Sequence, residues 1–282
     1  MKTVKIAGRN VLAIGFGTWH MGDHAKSKEQ EIQAIRTGIE AGIQVIDTAE
    51  MYGSGRSEML VGEAIKPYRR EDLFLISKVL PSNASKRQLS KSLDASLKRL
   101  GTDYLDQYLL HWRGSVPLSE TVEALEEQKQ KGKIKSWGVS NLDTDEIEEI
   151  LALEQGAQCQ SNQLLYNIGE RGIEFDLLPF MRQHNIPLIA YSPVAQGDSF
   201  GAGFTKQKVI IAMAQKYQSD VYQLALAWCI RDGNTIAIPQ SSNPDHVRSN
   251  VQAATIELTQ EDLERIDQLY PKPSRKEHLA MI

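Results

Sequence analysis

The sequence predicts an α/β fold, one (β/α)8 TIM barrel domain over residues 1–282, with an N-terminal β-hairpin closing the barrel floor. Three observations carry this. Eight short apolar runs recur along the chain, each is bounded by Gly, Pro, Asn or Asp, and patterns of helical period separate them. Strands alternating with helices pair in parallel, and eight such units close a barrel. A doubly wound sheet is the alternative architecture. No complete GxGxxG follows any run, which argues against a dinucleotide-binding Rossmann unit.

The elements follow in order. VKIAG, a turn at Arg9–Asn10 and VLAIG predict the hairpin, which either shares its second arm with the first barrel strand or plugs the floor. VLAIGFG (11–17) is the first barrel strand and leads into Thr18, Trp19 and His20. EQEIQAIRTGIEAG has helical spacing and stops at a glycine. IQVIDT (43–48) is the second strand, ending in Asp47, with Glu50 and Tyr52 in the loop beyond. LFLISKV (73–79) carries Lys78, and SKSLDASLKRLG is another helix ending at glycine. YLDQYLLH (104–111) delivers His111 and then Trp112. IKSWGVS (134–140) ends at Ser140 and Asn141, and QCQSNQLL (158–165) carries Asn162 and Gln163. IPLIAYS (186–192) ends at Tyr191 and Ser192, and NTIAIPQ (234–240) runs into SSNPDHVRSN. Active sites of this fold gather at the C-terminal ends of the strands, so these polar residues face one mouth.

The totals exclude several functions. Hydrophobic residues are 41% and charged residues 24%, as in ordinary globular chains. The net charge is −4, and the thin cluster Lys131, Lys133 and Lys135 is flanked by acids, so no nucleic-acid partner is expected. The two cysteines, Cys159 and Cys229, have no CxxC or Cys/His spacing; no metal site is expected, and both read as buried residues of a reduced compartment. No signal peptide and no apolar run near ~18 residues is present, which predicts a cytoplasmic protein without membrane contact. No apolar stripe marks a subunit interface, so a monomer is expected.

GFGTW, IDTAEMYGSG, LISKV, YLLHW, WGVSN, NQLLYN, YSPVAQG and IPQSSNPDHVRSN stand in this order from Gly15 to Asn250. The series resembles the aldo-keto reductase superfamily. EMYG, LLHW and RGIEFDLLPF are similar to its bacterial methylglyoxal and α-ketoaldehyde reductases. The resemblance implies a catalytic set of Tyr52, Lys78, Asp47 and His111. Carbonyl reduction needs a hydride on carbon and a proton on oxygen. A free phenol is a poor acid at neutral pH, with a pKa of about 10, and a nearby ammonium favours its ionised form. Lys78 is therefore expected to make Tyr52 more acidic, Asp47 to hold Lys78 charged, and His111 to bond the substrate oxygen. Glu50 has no counterpart in this set and reads as structural.

The resemblance also implies a nicotinamide cofactor. Ser140, Asn141 and Gln163 match the residues that hold its carboxamide, and Tyr191 matches the aromatic that stacks on its ring. Ser192, Pro193, Val194, Gln196 and Gly197 match the pyrophosphate loop. Gly17, Thr18, Trp19 and Asp47 border the same site from the first two strands. Ile238, Pro239, Gln240, Ser241, Ser242, Asn243, His246, Arg248 and Asn250 form the adenosine end. Gln240 stands where lysine is common, His246 where arginine is, and Ser249 where glutamate is. Arg248, one helical turn after Asp245, is expected to reach the cofactor phosphate. NADPH is the expected cofactor, with NADH a weaker second.

Trp19, Tyr52, His111 and Trp112, with His20 and Met51 at its border, are expected to line the substrate pocket. The short PKPSRKEHLAMI tail implies an open, permissive pocket for a small carbonyl substrate, methylglyoxal first. Two other roles are compatible with parts of the pattern. One is a cofactor-binding regulatory protein on the same fold, like a potassium-channel beta subunit; the start of the chain at the hairpin disfavours it. The other is a barrel isomerase or aldolase using Lys78 as a Schiff base, which leaves the cofactor motifs unexplained.

Overall fold

The computed structural model describes residues 1–195 and 203–282. It opens with an antiparallel hairpin of β1 (Thr3–Ile6) and β2 (Arg9–Leu12). The hairpin turn is not at Arg9–Asn10, which belong to β2. It is Ala7–Gly8, both left-handed (φ 45° and 79°), the geometry a two-residue hairpin loop needs to match strand twist.

Eight parallel strands follow, each paired to the next: β3 (Phe16–Gly17), β4 (Val45–Asp47), β5 (Phe74–Val79), β6 (Leu105–Leu110), β7 (Ile134–Ser140), β8 (Cys159–Leu165), β9 (Leu188–Tyr191) and β10 (Thr235–Ala237). Ile14 bridges Ala237 in parallel and closes the ring; Gly15 N–H donates to Ala237 O at 2.8 Å, and Ala237 N–H to Ala13 O at 2.9 Å. The first run therefore divides its work, with Val11 and Leu12 in the hairpin and residues 13–17 in the barrel. A side chain at Gly17 would meet the carbonyl oxygen of Ile238 at 2.7 Å, so glycine lets first and last strands converge. Every residue of β5 and of β6 is buried, as in a strand covered on both faces.

Among the described residues the α-helices are α1 (Lys28–Glu40), α2 (Arg56–Ile65), α3 (Lys86–Leu100), α4 (Leu118–Gln130), α5 (Thr144–Leu151), α6 (Leu177–Gln183), α7 (Lys208–Lys216), α8 (Val221–Cys229), α9 (Pro244–Gln252) and α10 (Gln260–Leu269). Their ends are written in the sequence. Ser85 accepts from Gln88 N to start α3, and Gly101, at φ 66°, stops it. Asp143 with Glu146 and Asp220 with Gln223 form capping boxes on α5 and α8.

The hairpin covers the floor. Val4, Ile6, Val11 and Leu12 are buried. Arg9 Nη1 donates to Leu73 O at 2.8 Å and to Asp106 Oδ1 at 3.0 Å, while Leu12 N–H donates to Gln44 Oε1 at 2.9 Å. Asp106 also accepts from Leu75 N at 2.9 Å and pairs with Arg70 at 2.7 Å. Gln44, Leu73 and Asp106 all stand where barrel strands begin. At the other end, Lys276 pins the C-terminal segment: its Nζ lies 2.5 Å from Asp143 Oδ1 and 2.6 Å from Asp176 Oδ2. Both cysteines are buried thiols. Among the described residues no helix is long and apolar enough to cross a membrane.

Candidate active site

The site begins where β4 ends. Asp47 pairs in register with Gly17 on one side and Ile76 on the other, so its carboxylate enters the barrel two residues below Lys78 on β5. Lys78 is fully buried. Its Nζ donates to Asp47 Oδ1 at 2.6 Å, Thr48 O at 3.0 Å and Tyr52 Oη at 2.9 Å. An ammonium has three protons, and three acceptors surround this one. Gln163 Nε2 takes the other Asp47 oxygen at 2.8 Å.

Tyr52 owes its place to the turn that follows it. Gly53, Ser54 and Gly55 lie at φ 56°, 55° and 89°, a left-handed run that folds the chain back into α2. The ring points inward and is 9% exposed. Glu50 is structural: its Oε1 accepts from Leu80 N at 2.7 Å and Asn83 Nδ2 at 3.0 Å, tying this loop to the one after β5.

Electrostatics revise one expectation. Burial pushes the Tyr52 phenol above its ordinary value, and Lys78 offsets that only in part. The phenol stays protonated, which is the state a proton donor needs. Burial also raises the Asp47 carboxyl, against the pull of Lys78 and Gln163, while Asp47 and Tyr52 together raise Lys78 despite its burial. His111 follows β6, its ring 5.8 Å from that of Tyr52 and edge-on at 74°. Burial, with Lys78 nearby, lowers its pKa to about 3, so the imidazole is neutral at physiological pH. Its Nδ1 is buried without a partner among the described residues.

These side chains open into a cleft of about 1390 Å³. Ser140, Asn141, Gln163 and Tyr191 line it next to Tyr52. Asn141, at φ 57°, gives Nδ2 to His111 O and Ser140 Oγ, each at 3.2 Å, and accepts from Tyr191 Oη at 2.9 Å. Gly17, Thr18 and Trp19, Ser192 to Val194, and Ile238 to Asn243 continue the wall, with His246 and Asn250. Trp112 also lines the cleft; its ring is 4.8 Å from that of His111, and Trp19 stacks on His20 at 4.4 Å. Gln196 and Gly197 lie outside the described residues. Among the described residues no group of His, Cys, Asp and Glu is placed to hold a metal ion.

Two expectations are corrected. Arg248 does not line this cleft. It borders a separate cavity of about 280 Å³ with Glu40 and Gln252, and its Nη1 holds Asp245 Oδ1 at 2.7 Å. The cause is helical phase: His246, Ser249 and Asn250 share one face of α9, and position 248 turns about 200° from 246. Nor is the pocket left open by the tail, since Met281 and Ile282 form part of its wall. Sequence reasoning also missed Asp220, Val221 and Tyr222 as wall residues. The capping box at Asp220 marks a helix start but carries no sign of a cleft.

The sequence pattern of the Aldo/keto reductase family matches residues 13–271. This chain belongs to that family. The aldo-keto reductase is similar to methylglyoxal reductase YeaE of Escherichia coli, 45% identical over 96% of this chain and 95% of the relative. It is 33% identical to the NADH-specific methylglyoxal reductase of the same bacterium, over 88% and 91% of the two chains. An aldo-keto reductase from Klebsiella pneumoniae, crystallised with NADPH, is 47% identical and superposes with a TM-score of 0.97, covering 100% of this chain and 99% of that one.

Proposed function

We propose that this aldo-keto reductase reduces small aldehydes and α-dicarbonyls of the methylglyoxal type with NADPH, and that Tyr52 donates the proton. The observation that carries the reading is Lys78 Nζ bridging Asp47 and the Tyr52 hydroxyl at the base of a deep cleft. The donor set fits a nicotinamide cofactor. Side-chain amides of Asn141 and Gln163 beside the Ser140 hydroxyl offer both donors and acceptors, as a carboxamide requires, and the Tyr191 ring supplies a flat apolar face.

When bound, the cofactor supplies the hydride. Tyr52 gives its hydroxyl proton to the carbonyl oxygen as charge develops there. Lys78, held charged by Asp47, stabilises the phenolate left behind. The neutral His111 ring has one N–H to donate to the same oxygen, which orients the substrate. Trp19, Met51, Trp112 and Met281 give the cleft apolar wall, with the Trp112 ring beside His111, suited to a small carbonyl compound. The names of the E. coli relatives point to the same substrate class.

The test is oxidation of NADPH and NADH against a panel of aldehydes and dicarbonyls, in wild type and Tyr52→Phe. The variant should lose roughly two to four decades in turnover, the usual scale for a general acid, with unchanged cofactor affinity. Near-normal turnover in Tyr52→Phe would remove Tyr52 from the mechanism. Tight cofactor binding without turnover of any carbonyl would favour a regulatory binding role.

A further inference from the structure

The cleft is longer than the chemistry needs. With a nicotinamide ring at Asn141, Gln163 and Tyr191, the adenosine half of the dinucleotide falls to the stretch walled by the starts of α8 and α9. That stretch contains no lysine or arginine among the described residues, and residues 196–202 contain none either. Arg248 faces elsewhere, held by Asp245. A carboxylate stands there instead. Asp220 lines the cleft, with Oδ2 accepting from Ser249 Oγ at 2.9 Å and Oδ1 from Gln223 N–H at 2.8 Å. Gln223 Nε2 donates to Ser249 O at 3.0 Å, which ties the start of α8 to the second half of α9.

Each Asp220 oxygen therefore keeps acceptor capacity for a donor in the cleft. Ribose hydroxyls and the adenine amine are such donors. A 2′-phosphate is not: it brings roughly two negative charges toward a carboxylate, with His246 the one ionisable base among the described wall residues of this stretch. We propose that Asp220 is a cofactor-selectivity residue, which contacts the adenosine half of the dinucleotide, favours the unphosphorylated ribose and admits NADH alongside NADPH. The proposal rests on the nicotinamide-cofactor reading above. It assigns to Asp220 a role beyond its cap on α8, and the cap alone would leave discrimination between the two nucleotides untouched.

The experiment uses Asp220→Asn and Asp220→Ser, since both residues cap helices about as well as aspartate. Dissociation constants for NADP+, NAD+, adenosine 2′,5′-bisphosphate and AMP are measured by calorimetry for wild type and both variants. Removing the charge should tighten NADP+ and the bisphosphate by about two- to fivefold, the scale of one exposed charge interaction. NAD+ and AMP should bind equally or more weakly, and the difference should shrink with added salt. If both variants change all four ligands by one common factor, or none, Asp220 is only a cap and the proposal falls. If wild type binds neither dinucleotide, the cofactor reading fails first and takes the proposal with it.

Discussion

Lys78 stands between an acid and a phenol inside the barrel, and replacing it by methionine strips the Asp47 carboxylate of its counter-charge. Breaking a buried pair costs about 3–5 kcal/mol, so Lys78→Met should be inactive and clearly less stable in urea. Tyr52→Phe, which removes one hydrogen bond, should cost about 1 kcal/mol. A Lys78→Met protein as stable as wild type would mean that Asp47 and Lys78 are not an ion pair. His111 makes a prediction about pH. The unfolded ring takes up its proton near pH 6.5, the folded ring only near 3. Between these values the unfolded chain binds the extra proton, so stability is lost as pH falls through 6.5 and the loss levels off below about 3. His111→Gln should flatten that part of the stability profile relative to wild type, a difference that cancels the carboxylates common to both. The positions of Asp47, Tyr52, Lys78 and His111 at one mouth were legible because each lies at or just beyond the C-terminal end of a strand of recognisable pattern. The direction of the net pKa shift at Tyr52 was not, because burial outweighs the nearest charge and burial is a property of the whole fold.

At the scale of one element, α9 shows how far helical spacing can be read. The spacing of Asp245 and Arg248 is three residues, and the two do meet at 2.7 Å. Which face they share depends on how the helix docks, and they face away from the cleft. Gln240, on the approach to α9, lies in the cleft wall. Gln240→Lys should therefore tighten NADPH by about one decade relative to NADH, the lower end for a charge-assisted contact. Arg248→Ala should leave both dissociation constants unchanged, and a selective loss of NADPH affinity in that variant would place Arg248 in the cofactor site. The same lesson holds for α8. Its capping box is plain in the sequence, but its juxtaposition with Ser249 arises from two helices that the chain order separates.

For the whole molecule, the hairpin-covered floor and the cleft lie at opposite ends of the barrel. Asp106 joins Arg9 of the hairpin to Arg70 and the β5 backbone, with little solvent access. Asp106→Ala should lower unfolding stability by about 3 kcal/mol, since it leaves a partly buried guanidinium pair without its carboxylate. Turnover per folded molecule should hold, because no floor residue touches the cleft; a fall in turnover matching the lost stability would contradict that separation. Each of the eight apolar runs contains an observed barrel strand, since strand period and bounding turns are local signals. The hairpin turn was misplaced by two residues because Ala7 adopts a left-handed conformation that its side chain does not advertise. The path of the tail was not legible, since Lys276 finds Asp143 and Asp176 across the fold.

The Ile14–Ala237 bridge has a consequence for the chain as it is made. The first strand emerges early and waits for a partner about 220 residues away, on the order of ten to forty-five seconds at ordinary translation rates. Throughout that interval one side of the nascent sheet is an unpaired edge, open to strands of neighbouring chains. Substitutions that weaken Ala13 to Gly17 or Thr235 to Ala237 thus act twice, first on yield during synthesis and only later on the finished enzyme.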